Sequence, residues 1–214
     1  MVALGRGMHH CDGAARPLLM WRFATPMLAI SSASVGGGVG LRSWALNAQV
    51  PHNYARTDLA AHVRAIAHAN DCTGDGVGML TAADVDAVRS ATDQGIEVWA
   101  TSGLGLVTWA AAADGDAQEW RPGTINVFAA LPVRCTEAAL VNAVMTATEA
   151  KTQALVERGV PGTGTPSDAL CIVCPASGEA EVFAGPRSPL GAALGRAAHA
   201  AIAEGIAGAA GGAR

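Results

Sequence analysis

The sequence predicts a single α/β or α+β domain in which a central mixed sheet is packed by helices. Three observations lead there. The chain has 214 residues, half of them hydrophobic, enough for one sizeable core. Runs with the period of two that strands require alternate with runs near the helical period. The order of these runs follows no strict strand-helix-strand repeat, so the sheet is mixed and its strand order cannot be read.

Residues 1–17 carry Arg6, His9, His10 and Asp12 without an apolar stretch, so they are no secretory signal and are expected to form a flexible tail. His9 and His10 beside Cys11 are assigned to that tail rather than to a metal. The domain proper is expected over 18–207. Leu19–Phe23 and Met27–Ser31 read as two strands around a turn at Thr25 and Pro26. The glycine-rich Ser31–Gly40 that follows permits close backbone approach to a ligand and exposes amides, but it lacks the Gly-Lys-Ser/Thr of a phosphate loop. Trp44–Tyr54 sets Asn47, Gln49, His52 and Tyr54 around a Val-Pro break. Such uncharged hydrogen-bonding groups suit a substrate rimmed by carboxamides, or else a loop that caps its own backbone.

Thr57–Ala69 has helical spacing, with Leu59, Val63 and Ile66 inward and His62 and His68 on the surface. Thr81 and Asp84 approximate a capping box for a further helix with Val85 and Val88 inward. Ile96–Thr101 reads as a strand. The most informative stretch is Gly123–Arg158. It opens with a largely buried strand that carries Thr124 and Asn126 on one face, and Thr136 then suits the N-cap of a helix that Glu137 extends. Leu140, Val141, Val144, Met145, Thr148 and Leu155 are expected to face the sheet. Glu149 and Lys151 point roughly 200° apart on that helix, so they form no ion pair with each other, and ordinary solvated charges are the plain reading. A Pro- and Gly-rich loop over Val160–Asp168 precedes a strand at Ala169–Cys174, where Cys171 and Cys174 point to opposite faces despite their C-x-x-C spacing. A short strand at Glu181–Phe183, a closing helix and a frayed end over 208–214 complete the chain.

Composition excludes several classes of function. Net charge is −4, charged residues are 15%, and no basic run appears, which argues against a nucleic-acid partner. The longest apolar run, Leu104–Ala113, is far below the ~20 residues of a membrane helix. Five cysteines make no disulfide framework. A cytoplasmic protein is expected.

Several motifs occur together in a fixed order. Gly123-Thr124-Ile125-Asn126 is followed by Ala139-Leu140-Val141-Asn142-Ala143 and Ala147-Thr148-Glu149-Ala150-Lys151-Thr152. Upstream lie Ser31-Ser32, Gly36-Gly37-Gly38-Val39-Gly40, Asn47, Val50-Pro51 and Tyr54, then Gly76-Val77-Gly78-Met79-Leu80-Thr81-Ala82. Downstream come Thr163-Gly164-Thr165-Pro166-Ser167-Asp168 and Phe183-Ala184-Gly185-Pro186. Over roughly Trp21–Glu204 this set resembles the adenosylcobinamide amidohydrolase family of corrinoid salvage. One loop departs from the family pattern, where Gly105-Leu106 replaces the usual polar residues, and no ligand contact is assigned there.

The resemblance implies hydrolysis of the amide joining aminopropanol to the corrin of adenosylcobinamide, giving adenosylcobyric acid. A corrinoid that is bound or carried without cleavage is the alternative. No Ser-His-Asp spacing and no metal-protease motif is visible, so the mechanism stays open. By motif position, Thr124, Asn126, Glu149 and Lys151 are expected at the reaction centre. In one version Glu149 activates water while Asn126 binds the oxyanion; in the other Thr124 is the nucleophile, assisted by Lys151. Ser32, Gly36, Gly37, Gly38, Asn47, Tyr54, Thr165, Ser167 and Asp168 are expected to bind the substrate or, for the last three, to orient Lys151. Cobalt arrives inside the substrate, so no protein-bound metal or other cofactor is expected; a homo-oligomer is compatible with the sequence.

Overall fold

The computed structural model describes residues 2–113 and 123–211. Among the described residues, ten strands and three α-helices follow one another: β1 (Ala3–Cys11), β2 (Ala14–Ser31), β3 (Gly38–Gln49), α1 (Leu59–Ala69), β4 (Gly76–Thr81), β5 (Arg89–Asp93), β6 (Ile96–Gly103), β7 (Thr124–Ala130), β8 (Arg134–Cys135), α2 (Glu137–Glu157), β9 (Ala169–Cys174), β10 (Ala180–Glu181) and α3 (Pro189–Gly211). Eight strands form one mixed sheet in the order β4-β3-β2-β9-β7-β6-β5, with β1 added beside β2. β3 with β4 and β7 with β9 are parallel, and the other pairs of this sheet are antiparallel. Among the described residues, no helix is long and apolar enough to cross a membrane.

The sheet is curled, and side-chain alternation explains how it packs. On β7, Ile125, Val127 and Ala129 point outward to α2 and α3, whereas Phe128 and Ala130 point into the concave side. Trp21 of β2 stacks on Phe128 with ring centroids 4.2 Å apart, and Trp99 of β6 closes on both from the opposite flank. Leu18, Met20, Trp44 and Leu46 pack outward against Val63 and Ile66 of α1. The concave side is therefore filled by the sheet itself, and the helices cover its back.

The N-terminal residues depart from expectation. The supposed tail is β1 and the start of β2: Ala3–Cys11 pairs antiparallel with Ala14–Arg22 through a tight turn in which Asp12 and Gly13 have φ of 51° and 77°. Its apolar content is low because much of it faces solvent, but His9 and Cys11 on its inner face are buried. The two strands foreseen around Pro26 are one strand, and the break is a register shift between Arg22 and Met27 against β3. A proline without an amide donor is tolerated at such an irregularity. The segment after Thr81 makes only a short 3-10 turn over Val85–Ala87, because Asp84 caps the amide of Asp86 two residues on.

The helix after Thr136 forms as expected, with the Thr136 hydroxyl accepting from the amide of Ala139 at 3.2 Å. Its buried face is different. Ala139, Leu140, Ala143, Ala147, Ala150, Ala154 and Leu155 are inside, while Val141 and Met145 remain 49% and 55% exposed. α3 lies against the same side with Ala193, Ala197, Ala198 and Ala201. Alanines let both helices and the sheet approach closely, and the larger valine and methionine are left outside. Cys171 packs in the concave core and Cys174 under the helices, on opposite faces as the strand period requires. Of the foreseen frayed end, residues up to Gly211 continue α3, and 212–214 lie outside the described residues.

Candidate active site

The concave side of the sheet changes from apolar to polar toward one end. Beyond the Trp21, Phe128 and Trp99 layer lie Asn47 of β3, Asn126 of β7 and Thr101 of β6, all buried. Asn126 Nδ2 donates to Asn47 Oδ1 at 2.8 Å and to the Leu80 carbonyl at 3.1 Å; its Oδ1 accepts from the amide of Ala169 at 3.2 Å. Asn47 Nδ2 donates to Thr101 Oγ1 at 2.9 Å. Strands that are not neighbours in the sheet are thus fastened across the curl. Both Asn126 amide protons are committed, so it has none to offer an oxyanion, and Asn47 faces the interior rather than a ligand. These two residues are brought together by the fold, as a buried brace.

Above that brace a cavity of about 570 Å³ opens, within the usual size of a small-molecule site. Thr124, Ser167 and Asp168 line one wall, Ser32 and Val35 another, Thr81 and Tyr54 a third. Ser32 belongs there because its amide donates to the Leu170 carbonyl and its hydroxyl accepts from the Leu170 amide, both at 3.0 Å. The loop then crosses to β4, where the Gly78 amide donates to the Val35 carbonyl at 3.0 Å. Gly36, Gly37 and Gly38 lie outside the lining. Gly36 has φ of 71°, and a Cβ there would stand 1.9 Å from the Gly76 carbonyl; a Cβ on Gly37 would stand 2.3 Å from the Ala33 carbonyl. Arg42 Nε donates to the Gly36 carbonyl at 3.0 Å. The glycines serve backbone packing, and the residues before them face the cavity.

Thr124 is the first residue of β7, its side chain on the concave face and 6% exposed. Its Oγ1 lies 2.7 Å from Ser167 Oγ, which also donates to the Gly123 carbonyl at 3.1 Å. With the serine proton on that carbonyl, Thr124 is the donor of the pair. Asp168 is the fastening point. Oδ1 accepts from the Ile125 amide at 2.8 Å and from Thr165 Oγ1 at 2.5 Å; Oδ2 accepts from the Thr165 amide at 3.1 Å and from Lys151 Nζ. The Lys151–Asp168 ion pair is largely buried, with side chains 14% and 15% exposed. Lys151 passes so close to the loop backbone that a Cβ on Gly164 would meet its Nζ at 2.5 Å.

Thr124, Lys151, Thr165, Ser167 and Asp168 are therefore one cluster. Glu149 is not part of it: the helical geometry that turns Lys151 inward leaves Glu149 exposed and outside the cavity lining. Thr81 and His62 take places other than the cap and the helix surface expected of them. Thr81 lines the cavity, is 1% exposed, and its hydroxyl accepts from the Ala83 amide at 3.0 Å, so its proton points elsewhere. Alternation with Val77 and Met79 placed it on the concave face. His62 is 4% exposed rather than on the surface, with Nδ1 2.7 Å from the hydroxyl of Tyr54. Spacing of three from Leu59 and four from Ile66 carried that signal. Burial lowers the pKa of His62 and of His9, whose ring centroid is 6.0 Å away. Among the described residues, no group of three or more His, Cys, Asp or Glu side chains is placed to hold a metal.

Comparison with known proteins bears on what this cavity is for. The family model described as adenosylcobinamide amidohydrolase matches residues 4–212. Over 143 residues, 66% of this chain and 66% of the relative, the sequence is 29% identical to an adenosylcobinamide amidohydrolase of Methanosarcina mazei. Over 79 residues, 36% of the chain and 33% of the relative, it is 42% identical to the protein of the same name from Halobacterium salinarum. The matched stretches thus span about two thirds and one third of the length of these relatives.

Proposed function

The chain belongs to the adenosylcobinamide amidohydrolase family, and from that premise we propose that it hydrolyses the amide between aminopropanol and the corrin side chain of adenosylcobinamide. The products are adenosylcobyric acid and aminopropanol, and the acid re-enters cobalamin synthesis. One observation carries the reading within the site. Two hydroxyls in mutual contact, Thr124 and Ser167, face a cavity and are held from behind by the Lys151–Asp168 pair.

Of the two mechanisms open from sequence, water activation by Glu149 loses its base to the helix exterior, and Asn126 has no proton free for the oxyanion. Nucleophilic attack by Thr124 fits the arrangement. Thr124 Oγ1 bonds to the amide carbon as its proton passes to Ser167 Oγ. The Ser167 proton moves from the Gly123 carbonyl to the departing nitrogen, and aminopropanol leaves as the neutral amine. Thr124 is then an ester of the corrin acid, which water hydrolyses by the same relay in reverse. Thr81 supplies a hydroxyl donor from the facing wall for the negative oxygen of each tetrahedral intermediate. Asp168 and Lys151 are positioning residues: they hold Ser167 and the start of β7 in register.

The cavity is of the size of a small-molecule site, and the side chain carrying the scissile amide enters it in this reading. Cobalt enters as part of the substrate, and activity is expected to withstand a chelator. Incubation of the purified protein with adenosylcobinamide, followed by mass spectrometry, tests the proposal. Appearance of the acid together with aminopropanol supports it. Tight binding without product favours a corrinoid carrier, and absence of both binding and product rejects the substrate class.

A further inference from the structure

The C-x-x-C spacing of Cys171 and Cys174 does not pair them, because the strand sends them to opposite faces. The fold gives Cys174 a different neighbour. Cys174 ends β9, Cys135 ends β8, and the Cys135 amide donates to Cys174 Sγ at 3.4 Å across 39 positions of chain. The two thiols also hydrogen-bond each other. Both cysteines are fully buried in the core under α2 and α3, and both are reduced.

The pair is asymmetric. Hydrogen bonds from the Cys135 thiol and amide hold Cys174 below its ordinary pKa despite burial, with Arg134 adding to them. The same thiol contact, together with burial, pushes Cys135 up. Cys174 is therefore the member that forms a thiolate first. Cys135 itself sits in a ladder of only two residues per strand, Arg134 with Ala180 and Cys135 with Glu181, and Val133 and Val182 beside it are 38% and 71% exposed. Opening so short a ladder is a local event that costs far less than unfolding the domain.

We propose that Cys135 and Cys174 form a reversible oxidation site, closing to a disulfide under peroxide and fastening the start of α2 to the end of β9. The Cys174 thiolate attacks one oxygen of hydrogen peroxide, the O–O bond breaks, and the departing hydroxide takes a proton and leaves as water. Cys174 is then a sulfenic acid. Cys135 sulfur attacks that sulfur, the S–S bond forms, and the expelled hydroxide leaves as a second water with the Cys135 proton. Two thiols have lost two electrons and two protons, and one peroxide has become two waters. A dithiol reverses the change by exchange. The chain between the two cysteines contains both Lys151 and Asp168, so the cross-link restrains the segment that holds the candidate site. The site does not depend on the function proposed above.

Oxidation of the full-length protein tests this. Native wild-type protein is treated with a graded excess of hydrogen peroxide at pH 7.5, quenched with catalase, and its remaining thiols are alkylated in denaturant. Mass spectrometry is expected to find one cross-link, between Cys135 and Cys174, with fragmentation separating Cys174 from Cys171, and with Cys11, Cys72 and Cys171 still alkylated. Tm is expected to rise by about 5–10 °C and to return on treatment with dithiothreitol. In Cys135→Ser the rise is expected to vanish, and a dimedone probe to capture the sulfenic acid on Cys174. All five thiols intact after treatment, a cross-link through any other cysteine, or a Cys135–Cys174 cross-link that leaves Tm unchanged or lower overturns the proposal. The wild-type cross-link and its Tm decide the question even where Cys135→Ser does not fold.

Discussion

Replacing Asp168 with asparagine changes two atoms of charge distribution and almost no volume, yet every element of the candidate site meets at that carboxylate. The best placement of an asparagine keeps its oxygen toward the Ile125 amide and Thr165 Oγ1, and so turns an NH2 group toward Lys151 Nζ and the Thr165 amide. Two favourable contacts become donor facing donor. One of them was a largely buried ion pair, and breaking such a pair by removing one partner costs about 3–5 kcal/mol. Relief through movement of the flexible lysine lowers the net figure to roughly 2–4 kcal/mol. Urea unfolding at pH 7.5 measures it directly. The same substitution releases Ser167, the neighbouring residue, from its register with Thr124, so kcat is expected to fall by about 10²-fold or more even for the folded fraction. Adding Lys151→Met removes the stranded ammonium, and the double variant is expected to recover about 1–3 kcal/mol without recovering activity. A loss of stability below about 1 kcal/mol, or a double variant no better than Asp168→Asn, would refute the assignment of Asp168 as the fastening point.

Asn126→Ala strips partners from Asn47, the Leu80 carbonyl and the Ala169 amide, and is expected to cost about 3 kcal/mol or more and to lower Tm by about 6–12 °C; a Tm change under about 2 °C would show that no brace exists there. Glu149→Gln, on the exposed face of α2, is expected to leave turnover unchanged and stability within about 0.5 kcal/mol, checked by steady-state kinetics and calorimetry. Burial lowers the pKa of His9 and His62 in the fold, so the unfolded chain takes up protons first as pH drops. Their contribution to stability is complete above the unfolded histidine pKa near 6.5 and is lost as pH falls from there through the folded values. Tm is expected to decline between pH 7 and pH 5.5, and less steeply in a His9→Gln, His62→Gln double variant.

Local signals read correctly where one residue's chemistry decided the outcome. Thr136 capped its helix, Thr124 and Asn126 shared a face, and the loop ending at Asp168 met Lys151, because each depends on periodicity or on a motif within one stretch. What escaped depends on the curl of the sheet. Asn47 and Asn126 are 79 positions apart, and only the closure of strands that are not sheet neighbours joins the two amides as a buried pair. The face of α2 was misread because valine and methionine outrank alanine in hydrophobicity, whereas close packing against α3 selects for small size. β1 was invisible because an edge strand facing solvent along much of its length needs few apolar residues. Gly36–Gly38 has the composition of a ligand loop, but the same lack of side chains serves the crossing onto β4, and composition does not separate the two.

The nucleophile is the centre of the account, and a rapid quench reaches it. Wild-type protein is mixed with excess adenosylcobinamide, acid-quenched in the first turnover, digested, and the peptide containing Thr124 weighed. The account requires a corrinoid acyl ester on that peptide, absent in Thr124→Ala, which also makes no product. Full turnover by Thr124→Ala with no adduct in either protein would contradict it and return the chemistry to an activated water.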